Sequence, residues 1–349
     1  MQKKTRTGLI EGRRPRSRGV SQLSILLIAI VVIAGFSAFA YFTLQPQPQK
    51  FKVGGLSTTF GSNDLVVNAG NEQSIWAKNG LDPEFVTIPR PSLVPADIKE
   101  QVASGVKIGF DTTVDVFSAR ADGVPVKVAA GYTGGPTALK MFSKPDSPIK
   151  TAQDLDGKKV GVISMTHNTA RIVIYLSQRF TIKPELVPLG NLTNNLAALK
   201  AGRIDAFSSS DAAAYMLVDS GELKIVVPSG DFVPKPWSAL DIWATDDLIQ
   251  QNPDLVQRFV KAWLQLVLYL NNNPVYTSGL YTRNTGVSKD LADKTVSLLA
   301  WTPNGRGSGQ DLVVALRTHW EFAKSVGGVP AQALSWMGIE EAVDTRFLQ

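Results

Sequence analysis

Short apolar runs rich in β-branched residues alternate along the chain with stretches whose apolar positions recur at helical spacing, and this alternation predicts an α/β architecture. The first set reads FKVGGL (51–56), a helix over 63–79, EFVTI (84–88), a helix opening at Pro95, VKIGF (106–110), a helix near 113–121 and VKVAAG (126–131). The second set reads LKMF (139–142), KVGVI (159–163), a helix over 168–179, LVPLG (186–190), a helix over 193–201, IDAFS (204–208), a helix over 211–220 and KIVV (224–227). One more strand follows, ALDIWAT (239–245), and then the chain turns helical. Asn252-Pro253 opens a helix with proline at its first position, and Leu255, Phe259, Trp263, Leu266 and Leu270 mark its apolar face. QVASGVKIGF (101–110) and ALKAGRIDAF (198–207) echo each other as helix end, glycine stop and strand closing on phenylalanine, which suggests two similarly built lobes.

Ahead of this body, residues 23–44 form a run of 22 residues without a charge. As a helix it would be roughly 33 Å long, enough for a hydrocarbon core of about 30 Å. The cationic stretch before it places residues 1–18 in the cytoplasm and the body outside. Ala38-Phe39-Ala40 also satisfies a cleavage pattern, so residues 19–44 read as an anchor or as a signal segment cleaved after Ala40. Prolines 46 and 48 make residues 45–50 an extended spacer.

Charge changes the picture only at that end. The formal charge is +6, but Lys3, Lys4, Arg6, Arg13, Arg14, Arg16 and Arg18 stand against Glu11 alone. Taking those seven from the 36 basic residues and Glu11 from the 30 acidic ones leaves 29 of each. A neutral body gives no case for nucleic-acid binding, which needs clustered cations. The chain has 0 cysteines, so it has no disulfide, no thiolate nucleophile and no lipidated cysteine anchor. It also lacks a G-x-S-x-G elbow, an H-E-x-x-H pair, a P-loop and a G-x-G-x-x-G after a strand.

ASGVKIGF (103–110), ADGVPVKVAAGY (121–132), LDGKKVGV (155–162), LKAGRIDAF (199–207) and ATDDLIQQNPDLVQRFVKAW (244–263) resemble, in order, the periplasmic-binding-protein-like proteins of nitrate, taurine, alkanesulfonate and thiamine-pyrimidine importers. The resemblance covers about residues 51–300. It implies a type II two-lobed fold behind the N-terminal transmembrane helix, with two hinge crossings. Lobe one then spans 51–133 plus 240–349 and lobe two spans 134–239.

In such sheets ligands sit beyond the carboxyl ends of strands, where helix N-termini offer unpaired N–H groups. Ser57, Thr58 and Thr59 end the first strand, as site residues or beside a plain Ser62 or Asn63 cap. Asp111, Thr112 and Thr113 stand where the family places ligand-facing polar residues, Asp111 being alternatively a cap. Tyr132 and Thr133 lie at the first expected crossing. Ser164, Thr166, His167, Asn168 and Thr169 match the family's anion-contacting loop; His167 also reads as an ordinary hydrogen-bonding residue, with His319 too remote in sequence to propose a pair. Ser209 and Asp211 join another strand to a helix, and Trp237 stands near the second crossing as a cleft cover or a packed loop residue. Acidic residues at strand ends disfavour a bare oxyanion and suit a zwitterion or a polar heterocycle.

The resemblance implies the extracytoplasmic substrate-binding subunit of an ABC importer, held at the membrane by its N-terminal helix. Its partners would be a small polar solute of sulfonate-like or nitrate-like type, a permease and its ATPase, with no cofactor and no catalysis. A thiamine-pyrimidine-type ligand is the alternative. An enzyme on the same fold is a further one, although the fungal thiamine-pyrimidine synthases that the lobes also resemble use a cysteine-rich motif absent from this chain.

Overall fold

The computed structural model describes residues 30–31, 48–56, 62–87, 96–133, 139–165, 167–299 and 309–348. Met1–Gln47 form one unit and Pro48–Gln349 another. Of the first, only the exposed helical residues Ile30 and Val31 are described, so the predicted span lies almost wholly outside the described residues. Among the described residues no helix is long and apolar enough to cross a membrane.

The second unit runs β1 (Gln49–Leu56), α1 (Ser62–Glu72), α2 (Ile75–Lys78), β2 (Leu81–Thr87), α3 (Ala96–Ala103), β3 (Ile108–Thr112), α4 (Thr113–Ala121) and β4 (Val126–Gly131). It continues through β5 (Lys140–Ser143), β6 (Lys159–Val162), α5 (Asn168–Phe180), β7 (Glu185–Pro188), α6 (Leu192–Lys200), β8 (Ala206–Ser209), α7 (Ala212–Asp219) and β9 (Lys224–Val227). It closes with β10 (Leu240–Thr245), α8 (Asp246–Gln251), α9 (Pro253–Asn272), α10 (Pro274–Thr285), α11 (Lys289–Leu298) and α12 (Gly309–Ser325).

These strands make two five-stranded sheets, ordered β2-β1-β3-β10-β4 and β7-β6-β8-β5-β9. Each has one reversed strand: β10 is antiparallel to β3 and β4, and β5 is antiparallel to β8 and β9. The chain passes from the first sheet to the second between β4 and β5 and returns between β9 and β10. Both faces of each sheet are covered, as parallel strands require. The first sheet lies between a cluster centred on α9 and one that takes in α4 and α12; the second lies between α5 and the α6–α7 pair.

The sequence echo is a structural repeat. After α3 and α6, Gly105 and Gly202 adopt φ of 87° and 68°, and the following residue donates back into the helix, Val106 N to Gln101 O and Arg203 N to Ala198 O. Only glycine takes that left-handed turn without strain. Each helix then presses a buried amide against a strand glycine: a Cβ on Gly54 would meet Gln101 Oε1 at 2.0 Å, and one on Gly161 would meet Asn195 Oδ1 at 2.1 Å.

Two expectations change. The helix expected over 63–79 breaks after Glu72, with Ser74 at φ 54°. The break turns Trp76 back onto α1, where Gly70 leaves room for the indole and Val67 O accepts from its Nε1 at 3.5 Å. Strands β3 and β8 also run further than expected, so Asp111, Thr112 and Ser209 belong to strand ends rather than to loops.

Candidate functional site

Helices start just beyond the carboxyl ends of parallel strands in both sheets, among them α1 and α4 from the first and α5 and α7 from the second. Three of their first turns are closed by side chains named from the sequence. Thr112 Oγ1 accepts from Asp115 N at 3.2 Å, His167 Nδ1 accepts from Thr169 N at 3.1 Å, and Asp211 Oδ1 accepts from Ala213 N at 2.9 Å. Thr112, His167 and Asp211 thus cap their helices, and the cap considered for Asp111 falls to Thr112 instead. Asp111 does not cap: it is buried, and its Oδ1 accepts from Thr112 N at 2.9 Å.

The other candidates fall into three groups. Tyr132 is buried; its hydroxyl donates to Asn63 Oδ1 at 2.7 Å and its ring packs on Phe110 and Trp263, tying the end of β4 to the start of α1. Thr133 pins the two crossings together, its Oγ1 accepting from Leu240 N at 2.8 Å. Thr169 is fully buried and braces its own loop by accepting from Ile163 N at 3.0 Å. Ser209 accepts from Asp211 N at 3.0 Å, Asn168 accepts from Arg171 Nη1 at 3.2 Å, and the Ser164 carbonyl accepts from His167 N. Ser57, Thr58, Thr59 and Thr166 lie outside the described residues.

Thr113 and Trp237 sit in a buried network instead of lining open space. Thr113 Oγ1 lies 2.8 Å from Ser238 O and 2.6 Å from Asp241 Oδ2, and Ser238 Oγ donates to Asp241 Oδ1 at 2.5 Å. His319 Nδ1 lies 2.6 Å from Ser238 O. Trp237 stacks on the His319 ring at 4.0 Å and packs edge-on to Phe322. Trp237 is 4% exposed, packed between His319 and Phe322. Burial pushes Asp241 up to about 7 against the pull of the Ser238 and Thr113 hydroxyls. Burial, with Arg171 adding to it, holds His167 down at about 4 and His319 at about 3, so both rings are neutral at pH 7.

Two charged residues that the sequence reading did not single out sit buried in the first turns of helices belonging to different sheets. Asp115, in the first turn of α4, is 7% exposed, and its Oδ2 accepts from Thr112 Oγ1 at 2.6 Å. Arg171, in the first turn of α5, is 9% exposed; it donates from Nη2 to Gly328 O at 2.9 Å and feels the charge of Asp115 from beyond ion-pair contact. The available signal was a cation at the positive end of a helix, among apolar neighbours such as Ala170, Ile172 and Val173. Among the described residues no group of His, Asp or Glu side chains could hold a metal ion.

Residues 67–276 match the family model described as NMT1/THI5 like. The chain belongs to the NMT1/THI5-like family. Its similarity to the Saccharomyces cerevisiae 4-amino-5-hydroxymethyl-2-methylpyrimidine phosphate synthases THI13 and THI12 is 24% identity over 214 residues, covering 57% of this chain. It spans 61% of the length of those curated relatives. Among solved structures, the periplasmic aliphatic sulphonate-binding protein SsuA from Escherichia coli superposes with a TM-score of 0.68 at 13% identity, over 86% of this chain and 93% of that one. The alkanesulfonate-binding SsuA from Xanthomonas axonopodis pv. citri, bound to MOPS, gives 0.63 at 14% identity, over 86% and 99%. The desulfurization enzyme DSZB gives 0.57 at 16% identity, over 86% and 97%. This family member therefore has the two-sheet α/β fold of periplasmic binding proteins, a fold that an enzyme also uses.

Proposed function

We propose that this chain is the extracytoplasmic substrate-binding subunit of an ABC importer, which captures a small polar solute between two lobes and delivers it to a permease coupled to an ATPase. The observation that carries this reading is the pair of similarly built five-stranded sheets joined by two crossings, with a buried Asp115 in the first turn of α4 on the first sheet and a buried Arg171 in the first turn of α5 on the second. In this reading lobe one is 51–133 plus 240–349, lobe two is 134–239, and closure about the two crossings sequesters the solute. The N-terminal run holds the body at the membrane or is removed after export.

The solutes named for the sulfonate-binding structures support a sulfonate-type ligand. The yeast synthases support a pyrimidine instead, and with DSZB they keep an enzymatic reading in play. Capture is favoured because Thr112, His167 and Asp211 are engaged in helix caps, and the buried acid and histidine of the Asp241 network are closed in by their own neighbours.

A thermal-shift screen of the full chain against taurine, alkanesulfonates, nitrate, bicarbonate, pyrimidines and amines tests the proposal. A solute present at 100 times its Kd stabilises the folded form by about 2.7 kcal/mol, so one compound class should raise Tm by a few degrees. No shift with any compound, together with turnover of one of them, would refute it.

A further inference from the structure

Helix α11 touches both halves of the body. On one side it is built onto the helices that cover the first sheet. Ala292 is fully buried, and Asp293 accepts from Ser278 Oγ of α10 and from Lys289. α10 is tied in turn to α1, where Glu72 accepts from the Tyr276 hydroxyl at 2.8 Å and from Arg283 at 3.1 Å. With 3.6 residues per turn, Lys294 and Leu298 fall on the side of α11 roughly opposite Lys289, Ala292 and Asp293. That side meets α7, which covers the second sheet. Lys294 Nζ donates to Asp219 Oδ2 at 3.0 Å and stands 5.8 Å from the centroid of the Tyr215 ring. Leu298 packs against the cluster that holds Phe142, Phe207 and Tyr215.

The opposite face of the second sheet is bridged by α12. Leu312, Leu316 and Trp320 of that helix belong to a cluster of the first sheet and Phe322 to one of the second, and Gln178 Nε2 of α5 donates to Ser325 O at 2.9 Å. α12 also engages the second crossing, through His319 and Ser238 O. The two bridges differ in kind. The α12 contact is apolar, buried and beside the crossings, where a hinge moves its neighbours least. The α11 contact consists of an ion pair whose side chains are 30% and 60% exposed, one ring contact and one leucine. Water replaces contacts of that kind at low cost.

We propose that α11 is a latch between the lobes: Lys294 and Leu298 hold α7 of lobe two against lobe one in the closed form and let go when the lobes part. α12 is the pivot and keeps its contacts throughout. This rests on the solute-capture reading and on its assignment of α7 to lobe two and α11 to lobe one. Since the closed form is the one that retains solute, the strength of the latch sets apparent affinity from a place that solute does not touch.

The chain has 0 cysteines, so Glu84→Cys and Glu185→Cys together supply a unique pair of spin-label sites. Both positions are exposed, on β2 and β7, the sheet edges farthest from the crossings. Pulsed electron-spin distance measurement on the labelled full chain, without solute, should resolve a short and a long distance. Lys294→Met should lower the ratio of short to long by about fivefold, and adding Leu298→Ala should lower it further. The charge swap of Lys294→Asp with Asp219→Lys should recover part of that loss, which a merely misfolded α11 would not. Lys289→Met, which removes an ion pair confined to α11, is the control and should leave the ratio unchanged. An unchanged distribution in the chain carrying both Lys294→Met and Leu298→Ala, or an equal change in Lys289→Met, overturns the inference. If taurine or another compound of the thermal-shift screen shortens the distance while the latch variants do not alter it, solute capture stands and only the latch falls. If neither the compounds nor the variants move it, closure on a solute falls as well.

Discussion

Replacing Trp263 with alanine should destabilise the chain by about 3–5 kcal/mol, read as a lower urea midpoint. Trp263 is fully buried on α9 and stacks on Phe110 with ring centroids 4.0 Å apart. It also meets Tyr132 at 5.5 Å, Phe259 at 6.0 Å and Trp76 at 6.2 Å. One side chain therefore joins α9 to β3, to the end of β4 and to α2. Deleting it removes a large apolar surface and opens a cavity that rigid strands cannot collapse to fill. The effect should reach the site, because Phe110 directly precedes Asp111 and Tyr132 holds Asn63. Met337→Ala, at a position 67% exposed, is the control and should change stability by no more than about 0.5 kcal/mol. A loss below about 1 kcal/mol for Trp263→Ala would mean that α9 does not organise the first sheet.

The second large effect is on pH dependence. Thr113 has one hydroxyl hydrogen but two close acceptors, Ser238 O at 2.8 Å and Asp241 Oδ2 at 2.6 Å. The arrangement is consistent if the Asp241 carboxyl is protonated and donates to Thr113 Oγ1, which in turn donates to Ser238 O. Burial raising Asp241 to about 7 says the same. The folded state then holds a proton that the unfolded state releases near its ordinary value of 3.8. With more protons bound in the folded form, stability falls as pH rises between about 4 and about 7 and levels off above, by an amount on the order of a few kcal/mol. Asp241→Asn, whose amide can donate to Thr113 in place of the acid proton, should remove that slope while keeping the fold. Urea unfolding of both chains at pH 5 and pH 8 makes the comparison. Parallel losses in the two chains would place the pH dependence elsewhere.

How much of this could be read from the sequence depended on how local each cause was. The α/β alternation, the lone strand before the helical third and the apolar face of α9 rest on short-range periodicity, and Leu255, Phe259, Trp263, Leu266 and Leu270 are all buried where that period places them. The paired glycine stops at Gly105 and Gly202 were visible for the same reason. The break after Glu72 was not, because it depends on where Trp76 packs in three dimensions. At the site, hydroxyls and carboxylates at strand ends were legible as a class, but their duties were not. Thr113 meets Asp241 and Ser238 from more than a hundred residues away, and Trp237 meets His319 across about eighty. Arg171 escaped notice because its burial depends on Gly328, more than a hundred residues away, and no window of sequence reports that.

The central claim is that the chain captures a solute and releases it unchanged. The direct test is to saturate the full chain with the most stabilising compound, remove the excess, denature the protein and weigh the released small molecule by mass spectrometry. Capture predicts one intact molecule per chain, with no product accumulating on longer incubation. A chemically altered molecule, formed in excess of one per chain, would contradict it.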